Sequence, residues 1–398
     1  MGRDQPMRTE APRPVALGYR LPAEWEPHEA TWLAWPQERG DWPGKFGPIP
    51  WVYAEIVRHL VRSERVRLVV PDREGRRRAE KILRRAGVDR GRIRFVEMRT
   101  DRSWLRDTLP SFVLRQLEQG EAPLGDPHEL SAVVWRFDGW AKYANHKQDQ
   151  RVARRVAKRL GLRRFKPSYE VGGVHRRVVL EGGAIDGNGQ GVLLTTEECL
   201  LDTEKQVRNP GLDRAGYERI FAEYLGITKT IWLGRGIVGD DTHGHVDDVA
   251  RFVNPRTVVV AVEPDPGDPN NEPLRENRER LRSATDLDGR PLEVVELPMP
   301  APVVFEGVRL PASYANFYIA NRVVLVPTFN DPNDRVALNV LAELFPDREV
   351  VGIHSVDLVL GLGTLHCLAH EQPAVSAGDA EEPAEREDAA EPADEPGT

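Results

Sequence analysis

The strongest constraint on the fold is a recurrence. Two apolar runs joined by a tight turn precede an amphipathic helical pattern, and one more apolar run follows it. The paired runs fall at Trp104–Leu114 with its neighbour, Val178–Thr195, Val249–Val262 and Tyr314–Pro327. Turn chemistry separates their arms at Asp186–Gly189, Asn254–Arg256 and Asn321–Arg322. Helical periodicity follows at Gln150–Leu160, Arg214–Leu225, Glu272–Ser283 and Asp334–Leu344, and the last three lead into Thr230–Leu233, Leu292–Leu297 and Glu349–Ile353. A further copy needs both ends of the chain: Leu365–Ala369 beside a strand at Glu29–Trp35, a helix at Trp51–Arg62 and a strand at Val66–Val70. About five units result. A doubly wound sheet alternates strand and helix singly, so paired strands ahead of each helix count against it. The expectation is one closed α/β ring, which leaves few free sheet edges.

Composition narrows the class. Of 398 residues, 40% are hydrophobic, and Val, Ile, Leu and aromatic residues recur in short dense runs, so most of the chain folds. The longest apolar stretches, such as Val258–Val262 and Val323–Val326, fall far short of the ~18 residues of a membrane span. No N-terminal segment joins basic residues to an apolar stretch, so no signal peptide is expected. Two cysteines, Cys199 and Cys367, make no disulfide framework and point to a reducing, cytoplasmic setting. Between 374 and 398, nine acidic residues face Arg386 alone and account for the whole net charge of −8. The balanced remainder gives no reason to expect nucleic acid as a partner, and the Arg-rich Arg76–Arg85 stretch reads as a solvated helix face. Residues 1–19 are expected to be flexible, 20–373 to form a single α/β domain, and 374–398 to be a disordered acidic tail. A homo-oligomer is left open.

Five polar or reactive residues stand near the starts of the paired strands, one per unit: Asp107, Glu181, His245, Asn316 and Cys367. In a ring of repeats, equivalent positions converge on the axis, so residues distant in sequence share one pocket. Cys367 follows the glycine turn Gly361–Gly363, which can hold a thiol where substrate reaches it. A thiolate beside a cation is a competent nucleophile; an inert buried cysteine is the plainer alternative. Cys199 lacks such a turn, and there the inert reading is stronger. His245 belongs to Asp240–Asp248 (DDTHGHVDD); read as a strand, this segment puts His243, His245 and Asp247 on one face. Two readings are open. One is acid–base chemistry near neutral pH with Asp247 binding substrate. The other is an H-x-H metal site, as in metal-dependent amidohydrolases, although too little chain follows for a (β/α)₈ barrel of ~250 residues.

Glu181–Gly183 sets a carboxylate before two flexible residues that let backbone approach a ligand. Trp104–Asp107 (WLRD) sets an aromatic face three residues from a carboxylate. Separately, each has a structural explanation: a bulge, a core tryptophan, a surface Arg106–Asp107 pair. Together with Cys367 they describe a pocket of three carboxylates, a histidine and a thiol. Three carboxylates suit a planar cation with many donors, and guanidinium is that cation.

These residues lie in a longer series of motifs: Leu21–His28 (LPAEWEPH), Trp104–Asp107, Glu181–Gly183, Leu193–Leu200 (LLTTEECL), Asn209–Leu212 (NPGL), Gly244–Asp247 (GHVD), Ser313–Ile319 (SYANFYI) and Leu365–Cys367 (LHC). On them the chain resembles the agmatine deiminase family, grouped with bacterial-type peptidyl-arginine deiminases in the guanidine-modifying pentein superfamily, over nearly the whole body to Pro373. The resemblance implies a five-bladed pseudosymmetric α/β propeller built from ββαβ-type units. It implies a hydrolase of C–N bonds in linear amidines that works through a covalent Cys367 thiouronium. His245 would then carry protons, and Asp107, Glu181 and Asp247 would bind the guanidinium, with Glu181 also orienting His245. Trp104 and Asn316 are expected as further substrate contacts. No metal and no organic cofactor is expected.

The favoured reaction is agmatine plus water to N-carbamoylputrescine plus ammonia, a step of putrescine and polyamine biosynthesis. Peptidyl-arginine, free arginine or another guanidine are the alternatives, followed by a metal-dependent amidohydrolase and a non-catalytic binding protein. Three departures from the family pattern stand out. Leu109 occupies the place of a glycine before Pro110, His243 that of an aspartate, and Leu362 interrupts a run of three glycines. They leave the substrate's tail open, because a carboxylate that could meet an amine is missing at 243.

Overall fold

The computed structural model describes residues 12–117 and 128–376, and the expected unit occurs in it five times. An antiparallel pair is followed by a helix and by a third strand parallel to the second. The first example joins Asp186–Gly187, Val192–Thr196, the helix Arg214–Leu225 and Lys229–Leu233. The same order joins Ala250–Phe252, Thr257–Val262, the helix Asn271–Ser283 and Glu293–Pro298. It recurs in Tyr318–Ile319, Val323–Thr328, the helix Pro332–Leu344 and Glu349–His354. The fourth sheet contains Ser111–Gln116, His128–Val133, the helix Asp149–Arg159 and Arg163–Phe165, with Tyr19–Arg20 added at one edge. The fifth is built from both ends of the chain. His370–Pro373 pairs antiparallel with His28–Ala34, and the helix Ile49–Leu60 leads to Arg65–Val70. The helix Arg73–Arg85 and the strand Ile93–Glu97 extend this sheet. This is the α/β repeat architecture expected from the sequence.

Side-chain patterning explains each layer. Second strands such as Thr257–Val262 (TVVVAV) and Val323–Thr328 (VVLVPT) are buried on both faces, and β-branched residues fill them. Third strands such as Glu293–Pro298 are half-exposed and carry charge. Helix starts are capped: Asp213 accepts from Gly216 N, and Asp331 forms a reciprocal box with Asp334. Arg73–Arg85 buries Ala79 and Leu83 and exposes Arg76, Arg77, Arg78, Arg84 and Arg85, so its basic residues are a solvated face. Among the described residues, no helix is long and apolar enough to cross a membrane.

Two expectations are corrected. The first strands are shorter than the sequence suggests, because one-turn helical segments precede four of them: Leu105–Thr108, Gly182–Ala184, Val246–Asp248 and Leu365–Leu368. The folded body also passes its expected boundaries. Val15–Leu17 forms a 3₁₀ turn, Tyr19 is buried and pairs with Arg115, and Arg13 lies 3.4 Å from Glu223. At the other end, Ala374 N donates to Pro27 O at 2.8 Å. The rest of the two terminal segments, residues 1–11 and 377–398, lies outside the described residues.

Candidate active site

The one-turn segments position the chemistry. Asp107 sits in Leu105–Thr108, Glu181 and His245 are the residues just ahead of their 3₁₀ turns, and Cys367 lies in Leu365–Leu368. Asn316 precedes Tyr318–Ile319 by two residues. All five are buried and meet in one cluster, as converging repeats predict. Cys367 Sγ accepts from Asn316 Nδ2 at 3.1 Å and lies 3.6 Å from Asp247 Oδ2. His245 Nδ1 is 3.9 Å from Asp107 Oδ1, and its Nε2 is 3.9 Å from Glu181 Oε2. Neither ring nitrogen has a hydrogen-bond partner, nor does Asp247 Oδ1, so donors and acceptors stand unspent. Catalytic hydrogen bonds are often long without substrate and tighten with it.

Glycines make this density achievable. A Cβ on Gly183 would stand 2.6 Å from His245 Nδ1 and 3.0 Å from both Asp107 Oδ1 and Asp247 Oδ2. Gly183 N also donates to Asp107 Oδ1 at 2.9 Å. The Gly–Gly pair thus makes room for the cluster itself. A Cβ on Gly363 would press within 3.1 Å of Cys367 Sγ, and one on Gly361 would strike Trp104 and Trp42.

A cavity of about 280 Å³ opens onto this cluster. Trp104, Trp140 and Tyr143 line its walls, and Asp107 and Cys367 face it. Glu181, His245 and Asp247 do not line it; they are buried beside those two. Asn316 is placed differently from a substrate contact. Its Oδ1 accepts from Thr364 Oγ1 at 2.8 Å and His366 N at 3.1 Å, and its Nδ2 donates to Asp248 and to Cys367. Its polar atoms hold the nucleophile's turn.

The strand expected at 243–247 is absent. Asp240 accepts from Thr242 N, Gly244 N and His245 N, which curls the backbone, and His243 adopts φ 67°. The His243 ring turns to Asp202 and lies 3.6 Å from Glu198, so His243 and His245 do not share a face and the H-x-H donor set is not assembled. Cys199 is buried near Glu181 and His245, within 4.8 Å ligand atom to ligand atom. There Arg208 already covers Glu181, donating Nε to both carboxylate oxygens at 3.0 and 2.9 Å. Sequence reasoning passed over Arg208, which stands one residue ahead of the NPGL motif. It also missed Trp140, which donates Nε1 to Asp107 Oδ2 at 2.9 Å from a left-handed backbone position no composition signal marks.

Burial and like charge set the resting protonation. Burial first, then the charges of Asp247 and Glu181, push Asp107 up to about 8. Burial also raises Glu181, against the pull of Arg208. It drives His245 down to about 3, with Asp247 opposing. The Cys367 thiol is raised well above its ordinary value by burial and by Asp247, Asp248 and Asp107. Asp247 goes the other way: burial would raise it, but the hydrogen bond and charge of His366 outweigh that and hold it below the usual range. At neutral pH burial therefore favours a thiol, a neutral imidazole and a protonated Asp107 in the empty site, beside an ionised Asp247 and a Glu181 paired with Arg208. A cation entering it would favour ionisation of every acid it meets.

Comparison with known proteins completes the picture. The family described as Porphyromonas-type peptidyl-arginine deiminase matches residues 20–373. The agmatine deiminase of Stutzerimonas stutzeri is 36% identical over 392 residues, which span 92% of this chain and 99% of that protein. Among solved structures, the agmatine deiminase of Enterococcus faecalis superposes with a TM-score of 0.79 at 31% identity, covering 92% of this chain and 99% of that one. A Cys-to-Ser variant of the C. jejuni agmatine deiminase, with substrate bound, gives a TM-score of 0.75 at 27% identity and covers 89% and 96% of the two chains.

Proposed function

The chain belongs to the Porphyromonas-type peptidyl-arginine deiminase family, and on that premise we propose that it hydrolyses agmatine to N-carbamoylputrescine and ammonia. The observation that carries this reading is the cluster of Asp107, Glu181 and Asp247 around one thiol and one unpaired imidazole at the cavity's end. Carboxylates pair with a guanidinium's fork of N–H groups and would fix its carbon against Cys367 Sγ. The cation's charge lowers the thiol's pKa, so substrate supplies part of the nucleophile's activation.

The Cys367 thiol passes its proton to His245 as Sγ attacks the guanidinium carbon, forming the S–C bond and a tetrahedral centre. His245 delivers a proton to one terminal nitrogen, which leaves as ammonia, and a thiouronium remains on Cys367. His245 then takes a proton from water as water attacks that carbon. Collapse breaks the C–S bond and returns the thiolate and a ureido product. Asp107, Glu181 and Asp247 hold the spread positive charge throughout, Trp104 walls the substrate, and no step needs a metal or an organic cofactor.

The mouth supports an amine-ended tail. Asp41 and Asp241 line it, and the buried Asp41 Oδ2 has no hydrogen-bond partner. Asp41 pairs with Arg102 and Asp241 with Lys142 and Tyr143, which leaves Asp41 Oδ2 as the carboxylate oxygen open to an amine where position 243 offers none. Burial raises Asp41 only to about 6, with Arg102 opposing, so it is largely ionised at neutral pH. The product is the immediate precursor class for putrescine, and the two buried free thiols suit a reducing cytoplasm. Incubation with agmatine, free arginine and an arginyl peptide, with ureido product and ammonia measured, tests the reading. Agmatine is expected to turn over fastest; turnover confined to the peptide would overturn the tail assignment.

A further inference from the structure

A second cavity, about 800 Å³ in volume, lies where the two ends of the chain meet. It shares no lining residue with the catalytic cavity. Its walls are the starts of three strands in the sheet that both ends build, the Asn321–Arg322 turn of the neighbouring unit, and Ala374 and Ser376. Those three strands run parallel, so their first residues share one edge, and that edge is basic.

Arg62, Arg65, Arg92, Arg94 and Arg322 line the cavity against two acids, Glu29 and Glu64. Both acids are engaged within the wall. Arg65 pairs with Glu29, and the buried Glu64 turns to Thr31, His28 and Asn321 N. Arg62 meets Glu349 at 2.7 Å. Among the described residues, Arg92, Arg94 and Arg322 meet no carboxylate; Arg94 donates Nη1 only to the carbonyls of Gly91 and Ile93, at 3.1 and 3.3 Å. Arg92 and Arg322 are exposed. Guanidiniums gathered on one concave surface focus a positive field, and a polyanion is what that field attracts.

The chain itself delivers a polyanion to this place. Ala374 N is fixed on Pro27 O at 2.8 Å, Val375 packs partly buried, and Ser376 lines the cavity. Beyond it, positions 377–388 carry Asp379, Glu381, Glu382, Glu385, Glu387 and Asp388 against Arg386 alone. At full extension the first three of these acids stand within roughly 20 Å of Ser376. Exposed ion pairs are individually weak, so the same sequence as a free peptide would gain little. A short tether makes the contact intramolecular, at an effective concentration in the millimolar range.

We propose that the acidic segment 377–388 docks in this arginine-lined groove of its own chain and closes it to other polyanions. The segment is too polar to build a core, but here it needs only a complementary surface. Docking leaves the catalytic cavity open, and the proposal stands whether or not the deiminase reading holds.

Carbodiimide, which joins an amine to a carboxylate in contact with it, identifies the occupant. Arg92→Lys and Arg322→Lys in the full chain supply the amines at exposed positions. Mass spectrometry should find intrachain links from positions 92 and 322 to acids of 377–388, falling at least fivefold in about 0.5 M salt. Links from those positions to Glu29, Glu64 or Glu349 alone would overturn the proposal. So would links to the segment that form only between isotopically distinct chains. Binding of inorganic polyphosphate tests the closure. Truncation after Ser376 should tighten it about tenfold or more at low salt, and Arg92→Glu combined with Arg322→Glu should erase that gain. A gain that survives both substitutions would reflect overall charge, and equal affinity of full and truncated chains would mean an open groove; either result overturns the proposal.

Discussion

Cys367 and Cys199 are both buried thiols, yet only Cys367 borders the cavity and accepts a hydrogen bond from Asn316. Cys367→Ser is expected to lower kcat at least on the order of 10³-fold while retaining agmatine binding. Cys199→Ala should leave kcat/KM within about threefold and cost roughly 1 kcal/mol of stability from the small cavity it opens. Paired kinetics and equilibrium binding check both. Asp107 carries a second prediction. With its pKa at about 8, it is protonated in the empty site at pH 7, whereas a guanidinium requires it ionised. Agmatine binding should then release a proton between about pH 6 and 8 and tighten as pH rises through that window, levelling off above it. Calorimetry in buffers of different ionisation enthalpy measures this, and binding without proton exchange would contradict it. The stability sign also follows. A carboxyl raised in the folded state makes folding less favourable as pH climbs from the ordinary carboxylate range to about 8. Asp107→Asn removes that penalty, so its melting temperature relative to wild type should rise across that window; a pH-independent difference would contradict the assignment.

At the level of elements, the short turns ahead of the first strands do the positioning, and they were the least legible part of the chain. Helices such as Arg214–Leu225 and Asn271–Ser283 were readable nearly to the residue, because a 3.6-residue period and a capping Asp or a flanking Pro mark them. Four-residue segments such as Leu105–Thr108 hold too few residues to show any period. The 240–248 segment misled for a related reason. Alternation of His243, His245 and Asp247 resembles a strand, yet three amides captured by Asp240 bend it. The meeting of Asp107, Glu181, His245 and Cys367 was legible all the same, since each turn delivers one side chain to the cluster whatever its local shape. Gly183→Ala tests the turn directly. With His245 Nδ1 only 2.6 Å from the added Cβ, kcat/KM should fall on the order of 100-fold while the far-ultraviolet circular dichroism stays unchanged. Activity near wild type would mean that the cluster is looser than its contacts indicate.

Across the whole molecule, the pairing of His370–Pro373 with His28–Ala34 brings the two chain ends into one sheet, and Glu24 ties Arg106, Arg251, Ile319 and His366 together. The repeat count foretold the first of these features. The second was invisible in sequence, because nothing in LPAEWEPH distinguishes a buried hub from a surface glutamate. The acidic segment beyond Ser376 carries the net charge of −8. Charges more than a Debye length away, ~8 Å at physiological salt, are largely screened. Truncation after Ser376 should thus leave kcat unchanged, shift KM less than about threefold, and lower solubility near neutral pH. A tenfold loss of kcat in physiological salt would contradict this. Covalent deimination of agmatine at one thiol is the claim on which the proposed mechanism stands. Its most direct test is acid-quenched mass spectrometry of wild type turning over agmatine. A substrate-derived thiouronium is predicted on the Cys367 peptide, none on the Cys199 peptide, and one ammonia per N-carbamoylputrescine. Full turnover with no adduct on Cys367 at any quench time, and undiminished turnover by Cys367→Ser, would contradict it.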